Sequence, residues 1–282
     1  MKPVPFDYLL ARSVDEAVSH LADYGSDAMV LAGGQSLMPM LAFRLAEPAV
    51  LVDINRITGL DSIELLGDSL HLGSLCRYAQ LERDPLVQQY LPLLTQALPH
   101  IAHAAIRERG TLGGSLSLSD PAAEMPACMV ALGARMVIQG QAGQRTVAAE
   151  VFFQGLFQTA LLQGELLVRI EVPVLRAPDR IAFSEFSRRH GDYAMVGLAA
   201  WRSTQIKAAR LVFFACGDHP SRASNAEGLL LSHTVTPSYD LIRQALEVDL
   251  KPEGDLQANP ETKKHLAAVL LQRAWPTLQP HA

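Results

Sequence analysis

Cysteine is scarce in this sequence, and its three copies, Cys76, Cys128 and Cys216, lie far apart along the chain. None of them belongs to a C-x-x-C pair, the spacing from which many iron–sulfur and structural zinc sites are built. We therefore expect this chain to hold no metal cluster of its own. Isolated thiols of this kind usually behave as small buried hydrophobic groups.

Long apolar segments and blocks of basic residues are also missing from the 282 residues. The longest apolar runs, such as residues 126–132, are far shorter than the roughly 20 residues that span a bilayer. The first residues, MKPVPFDYLL, lack the apolar core of a signal peptide. The formal net charge is −5 and no block of Lys and Arg residues stands out, so nothing in the sequence favours binding to nucleic acid. We expect a cytoplasmic protein with no membrane span and no nucleic-acid partner.

Groupings of catalytic or metal-binding residues are equally hard to find. The closest histidines, His100 and His103, do not have the spacing of a metal site. No Ser-His-Asp or Cys-His arrangement stands out, so nothing favours nucleophilic catalysis. We therefore expect neither metal ligands nor catalytic residues in this chain.

The hydrophobic pattern predicts an α+β chain. The capping box of Ser13 and Glu16 predicts a helix over residues 13–25. Apolar strands over 28–31 and 49–54 flank a glycine-rich segment, which favours a β–loop–α–β unit with parallel strands. Further elements are expected in this order along the chain: strands 62–66 and 69–72, helices 77–81 and 86–102, a helix from 120 to 132, strands 134–139, 145–148 and 165–174, strands 182–187, 193–201 and 207–216, and helices 239–247 and 259–273.

The first glycine-rich segment is Ala32-Gly33-Gly34-Gln35-Ser36. Adjacent glycines allow positive φ and lack Cβ atoms, so successive N–H groups can converge on an anion. No Lys or Arg occurs between residues 32 and 43, which suits a cofactor diphosphate better than a transferable phosphate. The segment matches neither G-x-G-x-x-G nor G-x-x-x-x-G-K-[ST]. A plain tight turn between strand and helix is the alternative.

A second segment, Thr111-Leu112-Gly113-Gly114-Ser115, repeats this pattern. Two such segments fit a dinucleotide, which is long and has two phosphates, better than either segment does alone. Hydroxyl groups are available here and at Ser117 and Ser119. Further along, Glu124 could accept a hydrogen bond from a ribose hydroxyl or a ring amine, or could simply be an acid in the first turn of a helix.

Four segments in this order, AGGQSLMPMLAFRLAEP, LVDINRI, TLGGSLSLSDPAAEMPA and RRHGDYAMVGLAA, resemble the FAD-binding medium subunit of molybdenum hydroxylases. The family includes the medium subunits of aerobic carbon monoxide dehydrogenase and the flavin domain of xanthine dehydrogenase. The resemblance implies an α+β FAD-binding domain of the vanillyl-alcohol-oxidase (PCMH) type. Its two subdomains would cover about residues 1–56 and 57–176, and a small α+β C-terminal domain would cover 177–282, beyond a linker at 176–180.

The resemblance also implies FAD contacts. The diphosphate and ribityl chain would lie along Leu31, Ala32, Gly33, Gly34, Gln35, Ser36 and Leu37, and along Thr111, Gly113, Gly114 and Ser115. The matching acid and apolar contacts would be Glu124 and Leu166, with Tyr193 near the isoalloxazine ring. The residues alone leave Leu166 open as a core residue and Tyr193 as an ordinary strand aromatic.

Two positions depart from the family pattern. Gln35 replaces a histidine that is common in relatives, so a proton role there is doubtful because an amide does not titrate. Ser184 occupies a place where some relatives carry a lysine near the flavin, and Arg188 or Arg189 could replace that charge. The charged run of Arg188, Arg189, His190 and Asp192 is otherwise a solvated loop or a partner-docking site.

The function implied by the resemblance is electron transfer within a heterotrimer. A molybdopterin-binding large subunit would hold the molybdenum cofactor, and a small subunit would carry [2Fe–2S] clusters. The FAD subunit would pass electrons from those clusters to an external acceptor. The alternatives are a self-sufficient flavin-dependent oxidase or dehydrogenase of the same superfamily, and a non-catalytic FAD-binding module.

Overall fold

The computed structural model of this chain describes residues 2–280. Its first part is a three-stranded parallel sheet in the order β1-β3-β2, accompanied by two helices. In chain order the elements are β1 (Asp7–Leu10), α1 (Val14–Tyr24), β2 (Ala28–Leu31), α2 (Leu37–Ala42) and β3 (Val50–Asp53). The predicted parallel unit is confirmed, and β1 is an additional strand that the pattern does not predict.

Helix α1 begins and ends at the caps that the sequence indicates. The Ser13 hydroxyl accepts the N–H of Glu16 at 3.1 Å, and Gly25 adopts a φ of +57° at the other end. Val18 and Leu21 on its apolar face are buried in one cluster with strand β3. This packing holds the parallel sheet, so the first glycine-rich segment leaves β2 at a defined place.

The second part is a five-stranded antiparallel sheet, in the order β4-β5-β10-β6-β7, that shares one hydrophobic core with its helices. Its elements are β4 (Ile63–Leu66), β5 (Ser69–Gly73), α3 (Tyr78–Arg83), α4 (Pro85–Tyr90), α5 (Pro92–Ala97), α6 (Ala104–Arg107), α7 (Leu112–Leu118), α8 (Glu124–Leu132), β6 (Arg135–Gly140), β7 (Gly143–Ala148), α9 (Ala149–Phe152), β8 (Phe153–Gly155), β9 (Gln158–Thr159) and β10 (Leu166–Pro173).

Two predicted helices have different bounds. The single helix expected over 86–102 is broken into short pieces, because Pro85 and Pro92 each start a new helix and Leu91 between them is not helical. The helix expected to open at Asp120 begins only at Glu124. The Asp120 carboxylate instead accepts the N–H of Ala122 at 2.9 Å and stabilises a turn.

The third part is an antiparallel sheet in the order β11-β12-β13-β14, covered by helices. Its elements are β11 (Asp179–Ser187), β12 (Ala194–Ser203), β13 (Ala208–Phe214), β14 (Ser221–Arg222), α10 (Ser224–Ser232), α11 (Tyr239–Asp249) and α12 (Pro260–Leu278). Strand β11 begins inside the linker predicted at 176–180, and α10 is a helix that the pattern does not predict.

Helix α8 joins the second and third parts. All nine of its residues are buried, because the helix lies between the second-part core and the β12 and β13 strands. Ala199, Val212 and Phe214 of the third-part sheet belong to that same core. The first residue of α8, Glu124, is therefore placed by packing on both sides. None of the helices in residues 2–280 is both long and apolar enough to cross a bilayer.

Candidate cofactor site

A cavity of about 500 Å³ opens where the three parts meet. It is lined by all but one of the predicted cofactor residues: Ala32, Gly33, Gly34, Gln35, Ser36, Leu37, Thr111, Gly113, Gly114, Ser115, Glu124, Leu166 and Tyr193. Leu31 is the exception, since it ends strand β2 behind the lining. Residues from positions 32 to 193 are thus brought into one site of a size that is normal for a cofactor pocket.

The first glycine-rich segment is an open loop with free donors. No acceptor within residues 2–280 takes the N–H groups of Gly33, Gly34, Gln35, Ser36 and Leu37. Gly34 adopts a φ of +71°, which L-residues rarely adopt, and Gln35 Nε2 steadies the loop by donating to Gly33 O at 2.9 Å. Successive unpaired N–H groups in this conformation form a concave anion site.

The second glycine-rich segment is not a loop. Thr111 is the N-cap of helix α7, and its hydroxyl accepts the N–H of Gly114 at 3.2 Å. The two N–H groups between them donate to Cys76 O at 2.9 Å and to Ser74 O at 2.8 Å. The expectation of a second backbone cradle is therefore wrong, because these donors are already used within the protein. The residues of this helix that line the cavity are Gly113, Gly114, Ser115, Ser117 and Leu118, with the N-cap Thr111 before them.

Close packing requires glycines in both segments, although their neighbours differ. A Cβ on Gly33 would lie 2.4 Å from the carbonyl oxygen of Arg109, just before the second segment. A Cβ on Gly113 would lie 2.5 Å from Cβ of Ser74. A Cβ on Gly114 would fill the space between the segments, 2.7 Å from the Thr111 hydroxyl.

Asn55 and Arg77 tie the segments together, although the sequence did not single out either residue. Asn55 Nδ2 donates to Ala32 O at 2.9 Å and to Asp53 Oδ1 at 2.7 Å. The Arg77 guanidinium donates to Asn55 Oδ1 at 2.5 Å and also to the backbone carbonyl of Arg109. One usable signal existed for Asn55, which follows the end of a predicted parallel strand, where binding residues often lie. Arg77 had no such signal.

Glu124 forms part of the cavity wall and is only 8% exposed. Burial, which disfavours the charged form, raises the pKa of this carboxyl to about 8. Tyr78, which the sequence also did not single out, lies in the same cavity wall with 4% exposure. Burial likewise raises the pKa of the Tyr78 phenol. Burial therefore favours the neutral form of both groups, and in that form each can donate a hydrogen bond.

The other end of the cavity is more open. Leu166 is 5% exposed and belongs to the core as well as to the lining. Tyr193 is 65% exposed and precedes strand β12. Gly191 packs so closely on the 100–103 segment that a Cβ there would lie 2.6 Å from Ala102 O. Tyr193 is thus available for contact with a flat ring, whereas Ser184 of strand β11 does not line the cavity.

Glu185 and His100 form a carboxylate–imidazole pair outside the cavity lining. Glu185 has a side chain that is 1% exposed, and its Oε1 is 3.2 Å from Nδ1 of His100. The neighbouring Glu185 carboxylate raises the pKa of His100. The His100 ring also contacts the His190 ring edge-on, at 5.5 Å between centroids. The charged run at 188–192 is therefore anchored on one side instead of being fully solvated.

These features fit the diphosphate and the flat ring of FAD. The free N–H groups of the first segment would meet an anion, and the glycine surface leaves room for close backbone approach. Within residues 2–280 no three His, Cys, Asp or Glu side chains come together as a metal-ion site. The three cysteines are buried and free.

Comparison with known families decides the identity of the chain. Residues 4–175 match the FAD binding domain in molybdopterin dehydrogenase, and residues 181–278 match the CO dehydrogenase flavoprotein C-terminal domain. The chain belongs to the FAD-binding medium subunits of the molybdenum hydroxylases. The resemblance read from the four segments is confirmed, and so is the two-domain α+β FAD-binding fold.

Two curated relatives show how closely this medium subunit follows the family. The caffeine dehydrogenase subunit beta of Pseudomonas sp. (strain CBB1) is 40% identical over 281 residues, covering 97% of this chain and 95% of the relative. The 6-hydroxypseudooxynicotine dehydrogenase complex subunit alpha of Paenarthrobacter nicotinovorans is 41% identical over 249 residues, covering 87% of this chain and 84% of the relative. This chain is an oxidoreductase subunit of that family.

A solved structure agrees with this medium subunit along its whole length. Carbon monoxide dehydrogenase from Hydrogenophaga pseudoflava, in a form that lacks the Mo-pyranopterin moiety of its molybdenum cofactor, contains a chain that superimposes with a TM-score of 0.93. The two chains are 34% identical, and the match covers 99% of this chain and 98% of the other.

Proposed function

We propose that this medium subunit carries electrons within a heterotrimeric molybdenum hydroxylase. It would receive them from the [2Fe–2S] clusters of a small subunit and pass them to an external acceptor. A molybdopterin-binding large subunit would transform the substrate. The observation that carries this proposal is a cavity lined by the predicted cofactor residues, in a chain whose described residues offer no metal site.

FAD suits this role because it accepts and releases electrons singly or in pairs, while the protein contributes position and electrostatics. The relatives are named for different substrates, among them caffeine, 6-hydroxypseudooxynicotine and carbon monoxide. Such variety among chains of one fold supports a substrate site outside the medium subunit. A cytoplasmic location stays a prediction.

The cofactor contacts are proposed residue by residue. The N–H groups from Gly33 to Leu37 would hold the diphosphate, with Leu31 and Ala32 placing the loop. Thr111 and Gly113 would set the packing of helix α7, and Gly114 and Ser115 would face the cofactor. Glu124 would donate a hydrogen bond, Leu166 would make an apolar contact, and Tyr193 would lie against the isoalloxazine ring.

The domain bounds also remain proposals. We place the FAD-binding domain at residues 1–176, with subdomains of about 1–56 and 57–176, and the C-terminal domain at 177–282. The parallel sheet, the larger antiparallel sheet and the third sheet supply one unit each in support of this division.

The test is isolation of the native complex through a tag on this chain alone. We expect two further chains to copurify, one with molybdopterin and one with the absorption and electron paramagnetic resonance signals of [2Fe–2S] clusters. Substrate added to the complex should bleach the flavin absorbance. Substrate added to this chain alone should not.

The opposite result would favour the self-sufficient alternative. If the chain comes out without partners, holds FAD and turns over a small organic substrate with a dye, the proposed role is wrong. A complex whose flavin is never reduced by substrate would favour the non-catalytic FAD-binding module instead.

A further inference from the structure

The cavity wall carries acidic side chains without a single basic one. Among described residues, the charged side chains of the lining are Asp120, Glu124, Glu165 and Asp192, and no Lys, Arg or His belongs to it. The cofactor proposed for this cavity carries a negatively charged diphosphate. Two sets of negative charge in one cavity repel each other, unless some of the carboxyl groups are compensated or protonated.

Two of these acids are compensated. Glu165 makes a salt bridge with Arg145, at 2.5 Å between Oε2 and the guanidinium, and this pairing lowers the pKa of Glu165. Asp192 is exposed, so water screens its charge. Neither group needs a proton when an anion enters the cavity.

Glu124 is not compensated in this way. It is 8% exposed and makes no salt bridge with any residue from 2 to 280. The groups that act on its charge come from several elements: Asp120 in the preceding turn, Cys128 on its own helix, Tyr78 on α3, His100 after α5, Glu185 on β11 and Tyr193 before β12. Only His100 among them is a cation when protonated, and it is already paired with Glu185.

Asp120 is the remaining acid of the wall. Its carboxylate accepts the N–H of Ala122, and burial raises its pKa. The hydrogen bond from Ala122 favours the charged form of Asp120, and Asp120 is only partly buried, whereas Glu124 is 8% exposed. The group with the least support for a charge is therefore Glu124.

We propose that FAD binds this subunit together with a proton on Glu124, so that the cavity wall is neutral at this position in the loaded protein. The inference rests on the proposed FAD site. A ligand in the cavity would cover the remaining exposed surface of Glu124 and bring negative charge into the same cavity, and both changes stabilise the protonated carboxyl. Linkage then requires FAD affinity to depend on pH wherever Glu124 is ionised in the free chain.

The direction in which FAD affinity changes with pH follows from the pKa of about 8 for Glu124 in the free chain. Below that pH Glu124 already holds its proton, so affinity is independent of this group. Above it, each FAD must bring one proton with it, and the dissociation constant should rise by up to about tenfold per pH unit. A protein with an ionised Glu124 in the loaded state would show the opposite or no dependence.

The experiment is calorimetric titration of the flavin-free full chain with FAD, from about pH 6.5 to about pH 9.5 across the range set by this linkage. Buffers of different ionisation enthalpy report the protons taken up per FAD. We expect uptake near zero at the acidic end and approaching one at the alkaline end. Glu124→Gln, which imitates the neutral carboxyl, should show no alkaline uptake and should bind FAD more tightly than the native chain there.

Glu253→Gln is the matched control, because this exposed glutamate lies outside the cavity lining, and it should behave as the native chain does. Equal proton uptake in the native chain and in Glu124→Gln would overturn the inference, as would a native affinity that does not change with pH. If Glu124→Gln fails to fold by circular dichroism, the native proton uptake alone decides. A native chain that binds no FAD at any pH would contradict the FAD site itself.

Discussion

The two glycine-rich segments have similar sequences and different structures. Ala32–Ser36 is an open loop with unpaired N–H groups, whereas Thr111–Ser115 begins helix α7 with its N–H groups already bonded. Both contain a pair of glycines, but the reasons differ. Gly34 requires a left-handed φ, while Gly113 leaves room for the neighbouring Ser74 backbone.

This difference shows that a glycine pair by itself does not identify an anion site. Whether the N–H groups of the pair are free to bind an anion depends on the hydrogen-bond acceptors that the fold places beside them. Carbonyl groups of Ser74 and Cys76 lie close enough to take the donors of the second segment. No acceptor within residues 2–280 is positioned to do so for the first, which leaves its donors for a ligand.

The largest expected effect is on stability, from Gly113→Ala in the second segment. The new Cβ would lie 2.5 Å from Ser74 Cβ and 2.6 Å from Ser74 O. Overpacking of this kind should lower the free energy of unfolding by about 1–3 kcal/mol. Urea denaturation measures it.

Gly228→Ala on α10 is the control, because nothing lies within 4 Å of its added Cβ. A helical alanine there should leave stability unchanged or raise it by about 1 kcal/mol. If Gly113→Ala is as stable as the native chain, the close packing of the second segment is wrong.

Gly34→Ala should destabilise the protein less than Gly113→Ala does, but it should also weaken FAD binding. At a φ of +71° the alanine costs about 1–2 kcal/mol, and relief of that strain turns the free N–H groups away from their common centre. We expect FAD affinity to fall by about tenfold, which corresponds to about 1.4 kcal/mol. Fluorescence titration with FAD measures it.

Gly67→Ala has a similar strain, with a φ of +60°, in the open turn between β4 and β5. It should lose comparable stability and keep the native FAD affinity. If both variants lose FAD equally, the loss reflects general destabilisation and the cradle assignment fails.

The smallest effect is expected from Asn55→Ala, which removes the link between the segments. The variant loses the hydrogen bond to Ala32 O and leaves the Arg77 guanidinium without Asn55 Oδ1. One or two such bonds are worth about 1–2 kcal/mol, and FAD affinity should fall several-fold because the first segment is held less firmly.

Asn225→Ala provides the comparison, since Asn225 donates to Asp249 at 2.7 Å in the third part, outside the cavity lining. Its variant should lose stability without a change in FAD affinity. An Asn55→Ala protein with native affinity would show that the two segments hold their positions without this link.

Local patterns predicted much of the fold. Strand β2 has the predicted bounds, α1 begins and ends at its predicted caps, and the Gly67 hairpin joins the expected strands. These features depend on side-chain periodicity, capping and turn chemistry, all of which act between neighbours in sequence. Two features differ from the prediction. Pro92 starts a new short helix within the predicted 86–102 helix, and α8 starts late because the Asp120 carboxylate accepts the Ala122 N–H in a turn before it.

The sequence by itself determined the family and the α+β class. Of the cofactor residues that it singled out, all but Leu31 line the cavity. Tertiary structure decided what those residues do there. It assigned the donors of the second segment to Ser74 and Cys76, brought Asn55 and Arg77 between the segments, and surrounded Glu124 with protein. Hydrogen-bond acceptors and burial come from residues that are distant in sequence, so no local pattern encodes them.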